Sequence, residues 1–231
     1  MNIFTLIPTY NERENVVRLI NALLKLSPPL NILVVDDNSP DGTARLVQEN
    51  FSHLPQVHVL LRKKDKGRGL ACREGFQYVL QMGADYCVEM DADMSHDPQH
   101  IPEMIQKARE FDVVIGSRFL SMASDERHWR RKLISRLARF YLKHLLGIRA
   151  SDPTSGYRCF SRRALQTIDV TTLRSRDPFI ITEVLYRCYQ RKLRLGEIPI
   201  VMKKRMAGQT KLRLQTLLGY LFQVIRLRFS G

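Results

Sequence analysis

The sequence predicts an α/β domain with a mostly parallel central sheet. Over the first half of the chain, short apolar runs alternate with segments whose apolar residues recur at helical spacing. The apolar runs are continuous, which is typical of strands buried on both faces of a parallel sheet. The 231 residues are enough for one large domain, and no linker or internal repeat divides them. We therefore predict a single domain over residues 1–231.

The first half contains five predicted strands and four predicted helices. Pro8 closes the first strand, Asn11 is a candidate N-cap of the first helix, and the third helix ends near Gly83. The strands are NIFTLIP, NILVVDD, VHVLLR, YCVEMDAD and DVVIGSRF, and the helices are ERENVVRLINALLKL, SPDGTARLVQENF, GRGLACREGFQYVLQMG and DPQHIPEMIQKARE. In such sheets ligands bind beyond the carboxyl ends of the strands, so the chemistry is expected at that edge.

The second half is less regular. It contains an amphipathic basic helix, a turn-rich loop leading into a strand, a further helix, a further strand and a last apolar helix; these are WRRKLISRLARFYLKHLLG, ASDPTSGYRCFSRRAL, IITEVLYRCYQRK, LGEIPIVMKKR and LQTLLGYLFQVIRLRF. The first and last helices, near 129–146 and 212–229, combine basic and apolar residues in the pattern of membrane-interface helices. No apolar run reaches the roughly 18 residues of a membrane span.

The charge and the cysteines narrow the class of protein. The formal net charge is +14, which indicates an anionic partner: nucleic acid, an anionic membrane surface or a phosphorylated substrate. The four cysteines form no C-x-x-C pair, which argues against disulfides or structural zinc and suits a reducing compartment. A non-catalytic basic module that binds a membrane or nucleic acid stays open as an alternative, although few aromatic residues accompany the basic clusters.

Acidic residues gather at the end of the fourth predicted strand, in the stretch VEMDADMSHD. Asp91 and Asp93 lie at positions i and i+2, so both side chains would point to one face if the strand continued to Asp93. Two carboxylates so placed can hold a hard divalent cation, Mg²⁺ or Mn²⁺, which also binds substrate phosphates. Solvated acids in a loop are the simpler interpretation, and D-x-D alone does not decide between the two.

Seven motifs occur in an order that resembles glycosyltransferase family 2. They are IPTYNE, VVDDNSPDGT, KGRGLA, EMDADMSHDP, VIGSRF, SDPTSGYRCF and GEIPI. From about Ile3 to at least Lys211, the chain looks like the catalytic domains of dolichol-phosphate (polyprenol-phosphate) mannose synthases. The resemblance implies a GT-A type nucleotide-binding fold with C-terminal amphipathic helices. It also implies metal-dependent transfer of mannose from GDP-mannose to a polyprenyl, dolichyl-type monophosphate, with inversion at the sugar carbon.

The resemblance implies roles for individual residues. The residues expected to bind the donor are Pro8, Tyr10, Glu12, Val35, Asp37, Asp91, Ala92, Asp93, Arg118, Arg205 and Lys211. Those expected to contact the acceptor phosphate are Arg118, Arg131 and Ser135. Asp93 and Asp91 are the expected ligands of Mg²⁺ or Mn²⁺, with Ser95 as a third candidate. The catalytic set is Asp91, Asp93, Arg118 and Asp152.

The implied reaction needs little proton transfer. A phosphate monoester has a second pKa of about 6, so the acceptor is largely a dianion near pH 7. Catalysis can then rest on positioning and charge, and Asp152 is the nearest candidate for a general base. The expected partners are a nucleotide sugar, a polyprenyl phosphate, a membrane surface and a membrane-anchoring protein, and nucleic acid is not expected. The expected location is the cytoplasmic face of a membrane. Another nucleotide sugar or a non-lipid acceptor stays open.

Overall fold

The computed structural model describes residues 1–203 and 214–229, which contain one seven-stranded sheet and a smaller two-stranded one. The strands are β1 (Ile3–Thr9), β2 (Asn31–Asp36), β3 (Val57–Leu61), β4 (Tyr86–Glu89), β5 (Val113–Ser117), β6 (Ser124–Asp125), β7 (Arg158–Ser161), β8 (Leu195–Pro199) and β9 (Val201–Met202). The helices are α1 (Arg13–Leu23), α2 (Thr43–Phe51), α3 (Arg68–Gln81), α4 (Ile101–Lys107), α5 (Trp129–Leu146), α6 (Arg162–Thr167), α7 (Ile180–Gln190) and α8 (Leu214–Phe229).

The large sheet has the strand order β3-β2-β1-β4-β7-β5-β8, and all of its strands except β7 are parallel. β7 pairs antiparallel with β4 on one side and β5 on the other. The prediction of an α/β fold with a mostly parallel sheet is confirmed. Because β7 is reversed, the chain enters it at the edge where the parallel strands end. The loop before β7, which contains Asp152 and Thr154, therefore lies at that same edge.

Two groups of buried apolar side chains occupy the two faces of the sheet. Successive residues of β1 alternate between them: Phe4 and Leu6 belong to one group, and Ile3 and Ile7 to the other. Helices α3, α7 and α8 contribute to the first group, and α1, α2 and α4 to the second. This burial on both faces explains why the parallel strands are continuous apolar runs in the sequence.

Two local predictions were wrong. Asn11 is not the N-cap of α1: its φ is 60°, and Glu12 occupies the cap position with no side-chain cap hydrogen bond. The fourth strand does not continue to Asp93, because β4 ends at Glu89 and the acids follow in a loop. The four cysteines are all free and buried.

The last helix packs on the domain as well as facing solvent. Val224 is fully buried in the core, and the Tyr220 hydroxyl lies 2.7 Å from the Thr182 hydroxyl of α7. The Tyr141 hydroxyl of α5 donates to the Leu221 carbonyl at 3.0 Å. Among the described helices, none has both the length and the apolarity needed to cross a bilayer. The single-domain assignment of residues 1–231 stays a prediction.

Candidate active site

The polar side chains gather where the parallel strands end: β1 ends at Thr9, β2 at Asp36, β4 at Glu89 and β5 at Ser117. A cavity of about 180 Å³ lies beside the loops that follow β4 and β5. Its lining residues are Asp91, Asp93, Ser95, His96, Arg118, Arg127, Arg131, Thr154, Ser155, Gly156, Ile181, Met202 and Lys203. The cavity therefore combines the predicted metal ligands with two of the three residues predicted to contact the acceptor phosphate.

Both aspartates reach the cavity from the loop after β4, and not from alternate positions of a continued strand. Asp93 is buried, and its Oδ1 accepts hydrogen bonds from the Ser95 amide at 3.1 Å and the Ser95 hydroxyl at 2.6 Å. Asp91 is about one third exposed. Met94, which follows Asp93, has a φ of 61°, in the left-handed region that reverses the chain direction locally. A tight turn, and not a continued strand, sets the relative position of these carboxylates.

His96 fixes this turn from its buried side. Its ring stacks on Tyr157 with centroids 4.8 Å apart, and its Nδ1 accepts a hydrogen bond from the Asp91 amide at 3.1 Å. Burial lowers the pKa of His96, although the charges of Asp91 and Asp93 act in the opposite direction. A neutral ring is what the geometry requires, because an amide N–H only donates and Nδ1 must accept. His96 therefore positions the loop through its Nδ1 and its ring.

Arg68, at the start of α3, is a site residue that sequence reasoning missed. Its Nη2 lies 2.7 Å from Asp91 Oδ1 and 3.3 Å from Oε1 of the buried Glu89. Burial raises the pKa of Glu89, while the positive charges of Arg68 and Arg158 oppose the increase. Arg68 thus fixes the orientation of Asp91. The one available signal was a basic residue in the first turn of a helix, where the helix dipole disfavours a cation.

Arg118 and Asp152 form a buried ion pair beside the acids. Arg118 Nε lies 2.6 Å from Asp152 Oδ2, and Nη2 lies 2.7 Å from Oδ1 and 2.6 Å from the Thr154 hydroxyl. Burial acts to raise the pKa of Asp152, but hydrogen bonding and charge from Arg118 outweigh it and lower the pKa below its usual value. Arg118 lines the cavity, whereas Asp152 contacts Arg118 from outside the lining, so each fixes the other and their predicted roles stay predictions.

The predicted acceptor residues on α5 differ in their placement. Arg131 lines the cavity, whereas Ser135 is buried behind it and does not line it. The Ser135 hydroxyl accepts a hydrogen bond from Arg127 Nη2 at 3.2 Å. Arg127 itself lines the cavity and pairs with Asp125, with Nη2 2.7 Å from Oδ2. Sequence reasoning missed Arg127 because it is one of several basic residues in RHWRRK.

The residues predicted to border the base lie along the same edge, after β1 and β2, and outside the cavity lining. The Tyr10 ring is 37% exposed, with the Lys66 ammonium 5.1 Å from its centroid. Asp37 is buried: one oxygen pairs with Arg62, and the other accepts from the Gly67 amide at 2.7 Å. Asp37 therefore holds the segment between β3 and α3, and contact with a base stays a prediction.

Four other donor residues occupy different environments. Pro8 is half-buried in β1, opposite Val35 of β2. Val35 is fully buried with its side chain in the core, and Ala92 is also buried, so the Val35 side chain does not face the site edge. Glu12 accepts a hydrogen bond from the Asn15 amide group at 2.9 Å, at the start of α1.

The basic segment after β9 is described only at its beginning. Lys203 lines the cavity, its ammonium lies 2.6 Å from Asp97 Oδ2, and its amide donates to the Ser95 carbonyl at 3.0 Å. These contacts attach the end of β9 to the loop that carries the acids. Arg205 and Lys211, which were predicted to bind the donor, lie outside the described residues.

The oxygen ligands at the cavity suit a hard divalent cation. Asp91, Asp93 and Ser95 supply carboxylate and hydroxyl oxygens, which Mg²⁺ and Mn²⁺ prefer. Over the described ranges, no group of three or more His, Cys, Asp or Glu side chains is arranged to hold a metal ion. A cation here would therefore depend on oxygens from a bound ligand, as Mg²⁺ often does with substrate phosphates.

The fold matches that of GT-A glycosyltransferases. A crystal structure of glucosyl-3-phosphoglycerate synthase from Mycobacterium tuberculosis, in complex with Mn²⁺, UDP and glucosyl-3-phosphoglycerate, superposes with a TM-score of 0.72 at 18% sequence identity. The match covers 99% of this chain and 79% of that one. In open α/β sheets ligands bind beyond the carboxyl ends of the parallel strands, which is where the polar side chains gather here.

The sequence comparisons give the family. The model of glycosyl transferase family 2 matches residues 5–169, and the chain belongs to this family of enzymes. It is 36% identical to the undecaprenyl-phosphate mannosyltransferase of Micrococcus luteus over 214 residues, or 92% of this chain and 88% of the relative. It is 35% identical to the polyprenol monophosphomannose synthase of Mycolicibacterium smegmatis over 229 residues, or 98% and 86%.

Proposed function

We propose that the protein transfers mannose from GDP-mannose to a polyprenyl monophosphate, with inversion and with a bound Mg²⁺ or Mn²⁺. The observation that carries this proposal is one cavity lined by both acids and arginines: Asp91 and Asp93 share its wall with Arg118, Arg127 and Arg131. A cation held by acids suits a diphosphate leaving group, and arginines suit a phosphate nucleophile. The names of the two mannosyltransferase relatives support the choice of sugar and acceptor.

On the donor side, Asp93 and Asp91 would hold the metal, and Arg68 keeps Asp91 oriented. The bound metal would supply charge neutralisation at the leaving diphosphate. Tyr10 offers a partly exposed ring for stacking on a nucleotide base. Ser95 acts through its two hydrogen bonds to Asp93 and orients that carboxylate. Arg205 and Lys211 complete the proposed donor site from the segment outside the described residues.

On the acceptor side, the arginines would orient a nucleophile that is already an anion. Arg118 is held by Asp152 and Thr154 in one orientation, which lowers the entropy lost on binding a phosphate. The lowered pKa of Asp152 makes it a weak base near pH 7, so we assign it to positioning Arg118. A dianionic phosphate needs no base, and this agrees with a site built from charge and geometry.

The lipid tail of the acceptor requires a membrane nearby, and α5 and α8 supply a suitable surface. Both helices expose large apolar side chains: Trp129, Leu133, Leu137 and Phe140 on α5, and Leu221, Phe222, Ile225 and Phe229 on α8. The net charge of +14 favours an anionic surface. We propose peripheral association with the cytoplasmic leaflet, alone or beside a membrane-anchoring protein.

The direct test is transfer from radiolabelled GDP-mannose, UDP-glucose and UDP-N-acetylglucosamine to a short polyprenyl phosphate and to a non-lipid phosphate. We expect mannosylated polyprenyl phosphate, formed only with Mg²⁺ or Mn²⁺ and not in excess EDTA. Efficient transfer from another nucleotide sugar, or to the non-lipid acceptor, would replace the proposed substrates. A chain that binds neither GDP with Mn²⁺ nor any nucleotide sugar would point to a non-catalytic module.

The metal assignment has its own test in Asp93→Asn, which keeps the size of the side chain and removes its charge. We expect the transfer rate to fall by at least about a hundredfold, as for the loss of a comparable electrostatic stabiliser. Asp85→Asn is the matched control, because Asp85 precedes β4 at the opposite edge of the sheet. Full activity in Asp93→Asn would refute the role of this carboxylate.

A further inference from the structure

Three hydrogen bonds to the Asp125 carboxylate hold Arg127 in the cavity wall. Its Nε lies 2.9 Å from Asp125 Oδ1 and its Nη2 lies 2.7 Å from Asp125 Oδ2. The Arg127 amide donates to the same carboxylate at 3.0 Å. Nη2 also donates to the Ser135 hydroxyl at 3.2 Å. The guanidinium therefore has one fixed orientation, with one edge occupied by Asp125 and Ser135.

Arg118 has the same set of contacts with different partners. Its Nε and Nη2 bind the two oxygens of Asp152, its amide donates to Asp152 at 3.1 Å, and Nη2 also donates to the Thr154 hydroxyl. We call Arg118 and Arg127 the braced arginines. Each has a carboxylate on the Nε–Nη2 edge and a hydroxyl on Nη2. Within residues 1–203 and 214–229, Nη1 of neither arginine makes a hydrogen bond to the protein.

The braced arginines belong to one site. Both line the cavity, and their side chains are only 6% and 12% exposed. The two ion pairs also influence each other. Burial acts to raise the pKa of Asp125, but hydrogen bonds and charge from Arg127, together with the charge of Arg118, lower it below its usual value. Each arginine is neutralised by its own carboxylate, which makes burial tolerable when no ligand is bound.

Such an arrangement is suited to an oxyanion with several equivalent oxygens. A guanidinium that is already fixed loses little rotamer entropy when its remaining N–H groups bind, and its planar geometry matches phosphate oxygens. Two such groups in one wall can hold two oxygens of the same phosphate. A phosphate monoester dianion has three such oxygens and two negative charges, so two can bind the arginines while the third stays available to react. Each phosphate within a diphosphate diester has two such oxygens and one negative charge.

We propose that Arg127 binds the phosphate of the acceptor together with Arg118, and that Ser135 and Asp125 act through Arg127 by holding it in place. The identity of the anion as a polyprenyl phosphate rests on the proposed function. Ser135 then has a different role from the direct phosphate contact that the sequence resemblance implies. It lies behind Arg127, outside the cavity lining, and its hydroxyl orients the arginine.

The test measures binding without sugar transfer. Calorimetric titration with farnesyl phosphate gives the acceptor Kd, and titration with GDP in the presence of Mn²⁺ gives the donor-site Kd. For Arg127→Ala we expect the farnesyl phosphate Kd to rise at least about tenfold, as for loss of a hydrogen bond to a charged group, with the GDP Kd unchanged within about twofold. Arg136→Ala is the matched control, because Arg136 is an exposed arginine of α5, the helix that follows Arg127, and lies outside the cavity lining.

A double-mutant cycle tests how Ser135 acts. If it works through Arg127, Ser135→Ala weakens farnesyl phosphate binding in the wild-type background and has no further effect in Arg127→Ala. Equal losses in both backgrounds would show direct contact with the phosphate and overturn that part of the proposal. Asp125→Asn should raise the farnesyl phosphate Kd and leave the GDP Kd unchanged, which a purely structural role would not do selectively.

The outcomes separate this proposal from the proposed function. One outcome is that the wild-type protein binds farnesyl phosphate, and loses that binding in Arg127→Ala, yet transfers no mannose. That result would refute the proposed function and would support the proposed phosphate site. Unchanged farnesyl phosphate binding in Arg127→Ala, or loss of GDP binding instead, overturns the role of Arg127. If Arg127→Ala does not fold, Arg127→Lys is the test, because it keeps the charge but loses the planar guanidinium. An unchanged farnesyl phosphate Kd in Arg127→Lys would refute the proposal, and a severalfold rise would support it.

Discussion

Asp152 illustrates how the partner of a buried carboxylate decides its chemistry. The residue is completely buried, and burial alone would favour the neutral acid. Hydrogen bonds and charge from Arg118 reverse that effect and lower its pKa. The ionised form then prevails across the whole range in which the enzyme works. A carboxylate of this kind holds a cation in position and is poorly suited to accept a proton.

The stability of this ion pair has a predictable dependence on pH. We expect Asp152→Asn to lower the free energy of unfolding at pH 7 by about 3 kcal/mol, because it leaves a buried arginine uncompensated. The folded-state pKa lies below the unfolded value of about 3.9, so the contribution is present above that value and is lost as the pH falls through the lower folded pKa. Urea unfolding from pH 7 to pH 3.5 measures it.

The difference between the wild type and Asp152→Asn should stay constant from pH 7 to pH 5 and decrease below about pH 4. Asp85→Asn, at the opposite edge of the sheet, is the control for loss of one negative charge. A difference that stayed constant down to pH 3.5 would contradict the assignment of the lowered pKa to this residue.

The contacts that could be predicted are those between residues close in the sequence. Asp91 and Asp93 are two positions apart, so the sequence reveals them as a pair. Arg118 and Asp152 are separated by 34 positions, and their contact depends on β7 running between β4 and β5. Arg127 was missed for another reason. The sequence contains no information on which of several neighbouring arginines faces a cavity.

The strands show the same division between local and long-range information. β1, β2 and β5 could be predicted as buried strands because each is a largely continuous apolar run. The antiparallel insertion of β7 could not, since Glu89 pairs with Arg158 far along the chain. The end of β4 at Glu89 was also missed. Hydrogen bonds of Ser95 and His96 within the loop, and the long-range stacking of His96 on Tyr157, set the turn that follows it.

The start of α3 depends on glycine for close backbone contact. A Cβ on Gly69 would lie 2.1 Å from the Ser175 carbonyl oxygen, and the Gly69 amide donates to the Arg176 carbonyl at 3.0 Å. Backbone atoms on both sides leave no flexible group that could move aside. The contact also sets the position of the adjacent Arg68, which fixes Asp91. Local backbone packing is thereby connected to the orientation of an active-site acid.

We expect Gly69→Ala to destabilise the protein by about 1–3 kcal/mol, the usual cost of overpacking, and to lower the transfer rate by displacing Arg68. Chemical denaturation and the transfer assay measure the two effects. Gly219→Ala in α8 is the matched control, because a Cβ there has no neighbour within 4 Å. It should stabilise the protein by about 0.5–1 kcal/mol. Equal behaviour of the two variants would contradict the packing argument.

The apolar surface and the acceptor site share one helix. α5 begins beside the cavity, where Arg131 lines the wall, and continues with Leu133, Leu137 and Phe140 exposed on one stripe. A lipid phosphate bound at the start of α5 would leave its chain close to this stripe. Because α8 contacts α5 and is also anchored in the core through Val224, truncating α8 would damage the fold. Surface substitutions are the sharper test of membrane binding.

We expect the protein to sediment with anionic vesicles, less with neutral ones, and less again at high salt, because electrostatic attraction adds to apolar insertion. Phe222→Ser with Phe229→Ser should lower the vesicle partition coefficient at least about tenfold, since each ring contributes roughly 1.5–3 kcal/mol when fully buried. The melting temperature and the GDP affinity should stay unchanged, because the two rings are 67% and 77% exposed.

Met82→Ser is the control for this double substitution. The Met82 side chain is exposed, and the residue lies at the opposite edge of the sheet, where its backbone carbonyl accepts a hydrogen bond from Asn2. Vesicle binding that survives the double substitution, or falls equally in Met82→Ser, would refute the assignment of α8 to the membrane surface.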